Sequence, residues 1–189
     1  GLAVWREMHP AERGRILYRI AQELHAHAQE IAEVESEDTG GGLEGSLNTV
    51  EHVCARRFEY YAGLADNILG DTFVAPSSYF AYTLREPIGV TAHIVPWNGP
   101  LWIGSRTIPA ALAAGNTVIL KPSSDSPTIA AKFFELLEEA GMPEGVVNFC
   151  PGAGASFGDA VVAHPKTRFI AFTGSREVGL RINQVAAAQ

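Results

Sequence analysis

The segment IGVTAHIVPWNGP (residues 88–100) divides the sequence in two. Apolar and β-branched residues run to Val95, as in a strand buried on both faces. Pro96 and Pro100 then each remove a backbone donor, so the strand stops abruptly. Between them stand an indole (Trp97), a carboxamide (Asn98) and Gly99. Three more short apolar runs follow: NTVIL (116–120), GVVNFC (145–150) and TRFIAFT (167–173). Helical patterns lie between and after them, at about 100–114, 127–140, 155–163 and 176–187. Strands alternating with helices mean βαβ units. The expected fold is therefore α/β, a Rossmann-like parallel sheet with helices on both faces. The helix at 127–140 carries its own punctuation: Ser126 as cap, Pro127 at the first position, Gly141 and Pro143 as the stop.

Upstream the period is helical. Ile16, Leu17, Ile20, Leu24, Ile31 and Val34 share one face, which predicts a helix from Pro10 to the stop at Gly40, Gly41 and Gly42. A second helix is expected over 46–68, with Leu47, Val50, Val53, Cys54, Tyr61 and Leu64 inward. GDTFVAPSSYFAYTLREP (70–87) alternates as two short strands around Pro76, Ser77 and Ser78. The chain thus divides into leading helices (1–70), a hairpin (71–87) and the Rossmann-like part (88–189). Gly1 is no natural start, and INQVAAAQ (182–189) stops inside a helical pattern. The fold is expected to be incomplete at both ends, as a segment of a longer protein.

Composition narrows the partners. Fourteen basic residues against 21 acidic give a net charge of −7 with no basic run, which argues against a nucleic-acid partner. No apolar stretch is long enough for a membrane span, and the first residues lack a signal-peptide pattern. Two cysteines make no disulfide framework, so a reducing, cytoplasmic setting is the default. No metal is expected, because His9, His52 and His164 have no ligand spacing. His93, inside an apolar strand, reads as a satisfied core histidine, and His25 and His27 as helix surface. Cys54 reads as packing, and Cys150 has no neighbour that would activate it.

In an open parallel sheet, ligands bind beyond the carboxyl ends of the strands. Four such loops exist here: PWNGP (96–100), KPSSDSP (121–127), PGAGASFG (151–158) and FTGSREVG (172–179). Lys121 at a strand end suits an anion or ribose hydroxyls, or is simply solvated. The glycines at 152, 154 and 158 miss the GxGxxG dinucleotide fingerprint by one residue and could equally serve a turn. Gly174 and Ser175 suit phosphate at a helix N-terminus, or an ordinary serine cap. Asn98 is the least ordinary of the set. A carboxamide is costly to bury without partners, and one held rigidly can donate to a developing oxyanion.

In order and spacing these loops resemble the nicotinamide-binding domain of the aldehyde dehydrogenase superfamily. The matching pieces are REPIGVTAHIVPWNGPL, ALAAGNTVILKPSSDSP, AGMPEGVVNFCPGAGASFG and HPKTRFIAFTGSREVG, and the resemblance covers essentially the whole chain. HPKTRFIAFTGSREVGLRI is most similar to the glutamate semialdehyde (1-pyrroline-5-carboxylate) branch, and VTAHIVPWN to general aldehyde dehydrogenases. Neither decides the substrate. The resemblance implies NAD or NADP as cofactor, a small aldehyde as substrate, and a homodimer or homotetramer assembled through the hairpin. In that family a cysteine attacks the aldehyde, hydride passes to the cofactor, and a glutamate-activated water releases the acid.

By the same resemblance Asn98 is the catalytic residue present, supplying the oxyanion donor. Lys121 and Ser124 face the adenosine ribose, and Gly154 and Gly158 the adenine. Gly174 and Ser175 approach the pyrophosphate. Val95, Pro96, Trp97, Phe172, Thr173 and Val178 line the remainder of the cofactor site. The chain departs from the family pattern at Ser124, where the family often has glutamate, and at Gly99, where an aromatic residue is usual. A carboxylate repels a 2′-phosphate and a serine does not, so NADP is expected to be tolerated beside NAD. The family's nucleophile and general base are expected beyond residue 189. An ordinary Rossmann dehydrogenase would need GxGxxG directly after the first strand, which is absent here. A non-catalytic binding relative is the remaining alternative.

Overall fold

The computed structural model describes residues 1–188. Five helices come first: α1 (Leu2–Glu7), α2 (Pro10–Ala26), α3 (Ala28–Thr39), α4 (Leu43–Thr49) and α5 (Ala55–Leu64). A π-helical turn, Val50–Cys54, joins α4 to α5, so the helix expected over 46–68 is a rod over 43–64. The helix expected from Pro10 to Gly40 is two helices. It breaks at His27 (φ −106°, ψ 16°), which lets α3 pack on α4 and α7 while α2 stays on α5. Leu24, Ala28 and Ile31 keep the apolar spacing across the break, so periodicity does not reveal it. Helix α1 was not expected at all, since six residues are too few to show a period. It is anchored by Trp5, fully buried, whose indole Nε1 donates to Leu112 O at 3.0 Å.

The hairpin strands β1 (Thr72–Phe73) and β2 (Ala81–Tyr82) pair antiparallel with Thr72 opposite Tyr82. Tyr79 N donates to Pro76 O at 2.8 Å, which places the turn at the expected residues. Around it Leu69, Phe73, Val74, Tyr79, Phe80 and Leu84 are all exposed.

The main sheet contains β3 (Val90–Ile94), β4 (Thr117–Lys121), β5 (Val147–Phe149) and β6 (Thr167–Phe172), all parallel in the order β5-β4-β3-β6. Helices α6 (Pro100–Ala113), α7 (Thr128–Glu139), α8 (Asp159–Val162) and α9 (Arg176–Ala186) complete the α/β units. The residues expected as helix at 155–158 form a π-helical turn, Gly154–Gly158, ahead of α8. The return from α6 to β4 depends on Gly115 at φ 82°, where a Cβ would also come within 2.8 Å of Pro87. Asn116 fixes that return, accepting from Gly89 N at 2.9 Å and donating to Ala111 O at 3.2 Å.

Helix α7 corrects one expectation. Ser126 does not cap it; its hydroxyl donates to Trp97 O at 2.8 Å. The α7 donor at Ile129 N is instead met by Asp38 Oδ2 of α3, at 2.9 Å. A cap supplied from 91 residues away leaves no local sequence signal. Gly141, at φ 78°, follows the helix end as expected.

Two buried titratable groups give the fold opposite pH dependences. Glu35 on α3 is only 5% exposed, and burial pushes its carboxyl up to about 7. Its contribution is fully present below the ordinary value of 4.5 and is lost as pH rises toward 7. His93 is held neutral, pushed down by burial to about 4, so its contribution is lost as pH falls from 6.5 toward 4. Glu35→Gln keeps the neutral shape at every pH. It is expected to raise the unfolding free energy by about 3 kcal/mol at pH 8 and to leave it unchanged at pH 4, as read by urea denaturation.

Candidate functional site

The chain runs outward from β3 through β4 to β5, then returns to place β6 on the other side of β3. Loops leaving a sheet at such a reversal diverge and leave a crevice at its carboxyl end. A cleft of about 850 Å³ lies there. It is lined by Val95, Pro96, Trp97 and Asn98 after β3, and by Lys121 and Ser124 at the end of β4. Gly154 and Gly158 of the π-helical turn, and Phe172, Thr173, Gly174, Ser175 and Val178 at the β6–α9 junction, complete the set. All thirteen residues singled out in the sequence therefore border one cleft.

The loops are tied to one another. Val95 N donates to Lys121 O at 3.1 Å, and Thr173 N to Ile94 O at 3.1 Å, carrying the sheet pairing into the cleft wall. The Ser126–Trp97 bond joins the β3 and β4 loops. Lys121 is 6% exposed, its ammonium donates to Pro122 O at 2.8 Å, and burial lowers its pKa. Its stem packs near Gly158, where a Cβ would lie 3.6 Å from Lys121 Cε. Ser175 caps α9, accepting from Val178 N at 3.3 Å, and so leaves the other first-turn N–H groups of α9 unbonded by that cap.

Two premises change. Asn98 is not a buried carboxamide; it and Trp97 are both exposed at the cleft, so the burial-cost argument does not apply to it. What remains is a carboxamide with no hydrogen bond among the described residues, pinned ahead of α6 by Gly99 and Pro100 and free to donate into the cleft. The glycines change in the other direction. Neither Gly154 nor Gly158 has a positive φ, so no turn demands glycine there. At Gly154 an added Cβ would meet nothing within 4 Å, although it would stand in the cleft wall. Backbone that is bare for no internal reason fits a ligand that lies close against it.

Sequence reasoning missed Ile94, Ser123, Asp125, Ala155, Asp159, Val162, Arg181 and Ile182, which also line the cleft. Helical spacing could have found most of them. Ala155, Asp159 and Val162 continue the face of the glycine turn, and Arg181 and Ile182 lie three and four residues after Val178. The pairing of Arg181 with Asp159, across 22 residues, has no such signal.

Of the residues read as bland, His93 and the two cysteines are placed as expected, whereas His27 stands at the break between α2 and α3 and not on a helix surface. His93 is buried between Thr91 Oγ1 (2.9 Å) and Thr107 Oγ1 (2.8 Å). Cys54 is buried, its thiol pushed up to about 12 first by burial, with Glu35 adding to the effect and Ser105 and Arg57 opposing it. Cys150 is half-buried, its thiol raised by burial, and it does not line the cleft. His27 ends α2 beside Glu23 (3.6 Å), Glu30 (3.3 Å) and Glu139 (3.8 Å). Glu23, His27 and Glu139 have the spacing to hold a cation, which the sequence did not suggest because Glu139 comes from α7. No helix among the described residues is long and apolar enough to cross a membrane.

A family model described as the aldehyde dehydrogenase family matches residues 1–189. The chain belongs to the aldehyde dehydrogenase family. It is 43% identical over 187 residues to a cytosolic 10-formyltetrahydrofolate dehydrogenase of Xenopus tropicalis, covering 97% of this chain and 21% of that protein. It is also 43% identical over 178 residues to a hydroxyisobutyraldehyde dehydrogenase of Mycolicibacterium austroafricanum, covering 94% of this chain and 35% of the relative. The fold superposes with a TM-score of 0.94 on an aldehyde dehydrogenase from Bacillus cereus solved as its NAD⁺ complex, at 38% identity, covering 97% of this chain and 38% of that one. The chain thus spans between a fifth and two fifths of the length of these relatives.

Proposed function

We propose that this chain forms the cofactor cleft of an NAD(P)⁺-dependent aldehyde dehydrogenase and supplies Asn98 to the reacting centre. The observation that carries this reading is the convergence of Lys121, the bare glycine turn and the capped start of α9 on one crevice that also holds Asn98. Family membership and the NAD⁺ complex of the Bacillus cereus neighbour support it. Lys121 holds the ribose hydroxyls through an ammonium already fixed by Pro122 O. Gly154 and Gly158 let the adenine lie against backbone, and Val178 covers it. Gly174 and Ser175 bring α9 N–H groups to the pyrophosphate.

A bound nicotinamide would supply the hydride acceptor, once a nucleophile has added to the aldehyde carbon. Asn98 donates its side-chain N–H to the aldehyde oxygen, stabilising negative charge as it develops there, an interaction typically worth about 10²–10³ in rate. Cys54 is too buried and too weakly acidic to attack a carbonyl, and Cys150 lies outside the cleft. On this reading neither cysteine present is the nucleophile. The exposed apolar hairpin (71–87) serves association of subunits. Two unpaired cysteines suit a cytoplasmic setting.

Cofactor choice tests the reading. Ser124 is exposed at the cleft, and its hydroxyl reaches Gly152 O only at 3.5 Å, so it is free to face a ribose. Calorimetric titration of the chain is expected to give saturable binding of NAD⁺ and NADP⁺ with affinities within about tenfold. Ser124→Glu is expected to weaken NADP⁺ by about tenfold or more while sparing NAD⁺, through like-charge repulsion of the 2′-phosphate. Absence of binding by either dinucleotide contradicts the assignment.

A further inference from the structure

Helices α3 and α7 pack side by side, the end of one beside the start of the other. Near its end α3 supplies Asp38 to the start of α7, at Ile129 N. At its beginning, the break at His27 faces the far end of α7, where Glu139 is the last helical residue. His27 Nε2 stands 3.6 Å from Glu23 Oε2 and 3.8 Å from Glu139 Oε2. Three potential ligand atoms, one from each residue, all lie within 4.8 Å of one another. Both gaps at His27 Nε2 are longer than a hydrogen bond, so direct bonding does not explain the gathering. Nor do the neighbouring cations. Among the described residues neither Glu23 nor Glu139 has a lysine or arginine within ion-pair distance. Lys132 is taken by Glu30 at 2.7 Å and Glu135 at 3.3 Å, and Arg19 donates to Ala140 O at 2.7 Å. The C-terminus of a helix disfavours a carboxylate, yet Glu139 stands there.

A shared cation accounts for the spacing. Donors about 2.1 Å from a tetrahedral zinc ion lie about 3.4 Å from one another, close to the separations at His27 Nε2. One imidazole and two carboxylates suit such an ion and leave a fourth position for water. The outer partner that orients a metal-bound imidazole is also present. His27 Nδ1 lies 3.3 Å from Glu30 Oε2, and Lys132 holds the other oxygen of that carboxylate. With Nε2 on the metal, Nδ1 carries the ring proton and donates it to Glu30. We propose that Glu23, His27 and Glu139 form a divalent-cation site of the zinc class, which ties the break between α2 and α3 to the end of α7. Helix α7 is then held at both ends, by Asp38 at its start and by the ion at its finish. None of the three ligands lines the cofactor cleft, so the site is independent of the dehydrogenase reading.

The test is calorimetric titration of Zn²⁺ into the chelator-treated chain, with thermal unfolding and the His27 ring ¹⁵N resonances followed in parallel. The expected result is one saturable equivalent, with Nε2 of His27 bound and Nδ1 keeping its proton. The unfolding midpoint is expected to rise by about 5 °C at a hundredfold excess of Zn²⁺ over its dissociation constant. His27→Gln and Glu139→Gln are each expected to weaken binding by about tenfold or more. Both side chains are partly open to solvent, so without metal each variant is expected to unfold within about 2 °C of the parent. Cys150→Ser and His164→Gln, which remove other accessible ligands, are expected to bind Zn²⁺ as the parent does. Absence of saturable binding below millimolar Zn²⁺ overturns the proposal. So does binding that survives both His27→Gln and Glu139→Gln, or binding lost in Cys150→Ser or His164→Gln, since either places the ion elsewhere.

Discussion

Replacing Phe58 by alanine is expected to lower the unfolding free energy by about 3–5 kcal/mol, a large part of the stability of a domain this size. Phe58 on α5 is fully buried, and its ring lies 5.8 Å from that of Phe133 on α7, tilted by 55°. That contact joins the leading helices to the layer packed on the sheet. Its removal costs the transfer free energy of the ring, the cavity it leaves, and an aromatic pair. Urea denaturation of the variant measures the effect. A loss below about 1 kcal/mol would mean that the helices before residue 70 are not packed as a structural part of the sheet domain. The consequence reaches the cleft, because α7 follows the loop in which Ser126 holds Trp97.

Lys121→Met is expected to weaken NAD⁺ binding by about 10- to 100-fold, the range for a hydrogen bond made by a charged group. Methionine keeps an apolar stem against Gly158 and drops only the ammonium. The ammonium is nearly buried and desolvated, with a single protein acceptor in Pro122 O, so its remaining donors are available to a ligand. Stability of the variant is expected to be unchanged or slightly raised, which separates loss of the site from loss of the fold. An unaltered dissociation constant would remove Lys121 from the site.

Much of this architecture could be read from periodicity and punctuation. Continuous apolar runs ending in proline or glycine marked β3 to β6, and the loops after them marked the crevice, because a parallel sheet allows few other places for a ligand. The sites where the reading failed share one cause, namely that the deciding partner is distant in sequence. Asp38 caps α7 from another helix, Arg181 meets Asp159 across the cleft, and the His27 break keeps the apolar spacing intact. Helix α1 is held by Trp5 on Leu112 O and has no period of its own. The exposure of Asn98 was likewise invisible, since sequence shows only that the strand stops, and the burial of a loop side chain depends on which other loops surround it. The histidine–carboxylate cluster brings residue 23 of α2 and the break at residue 27 to residue 139 of α7, and needed the fold to become apparent.

The central claim is that one crevice, built from four separate loops, holds a nicotinamide dinucleotide. The most direct measurement is amide chemical-shift mapping of the ¹⁵N-labelled chain as NAD⁺ is added. The account predicts saturable shifts concentrated in residues 95–98, 121–125, 154–158 and 172–178, with the α2–α5 layer and the hairpin unmoved. Shifts confined to the surface around His52 and Arg57, or no shifts at millimolar NAD⁺ in a chain whose spectrum is folded, would contradict it.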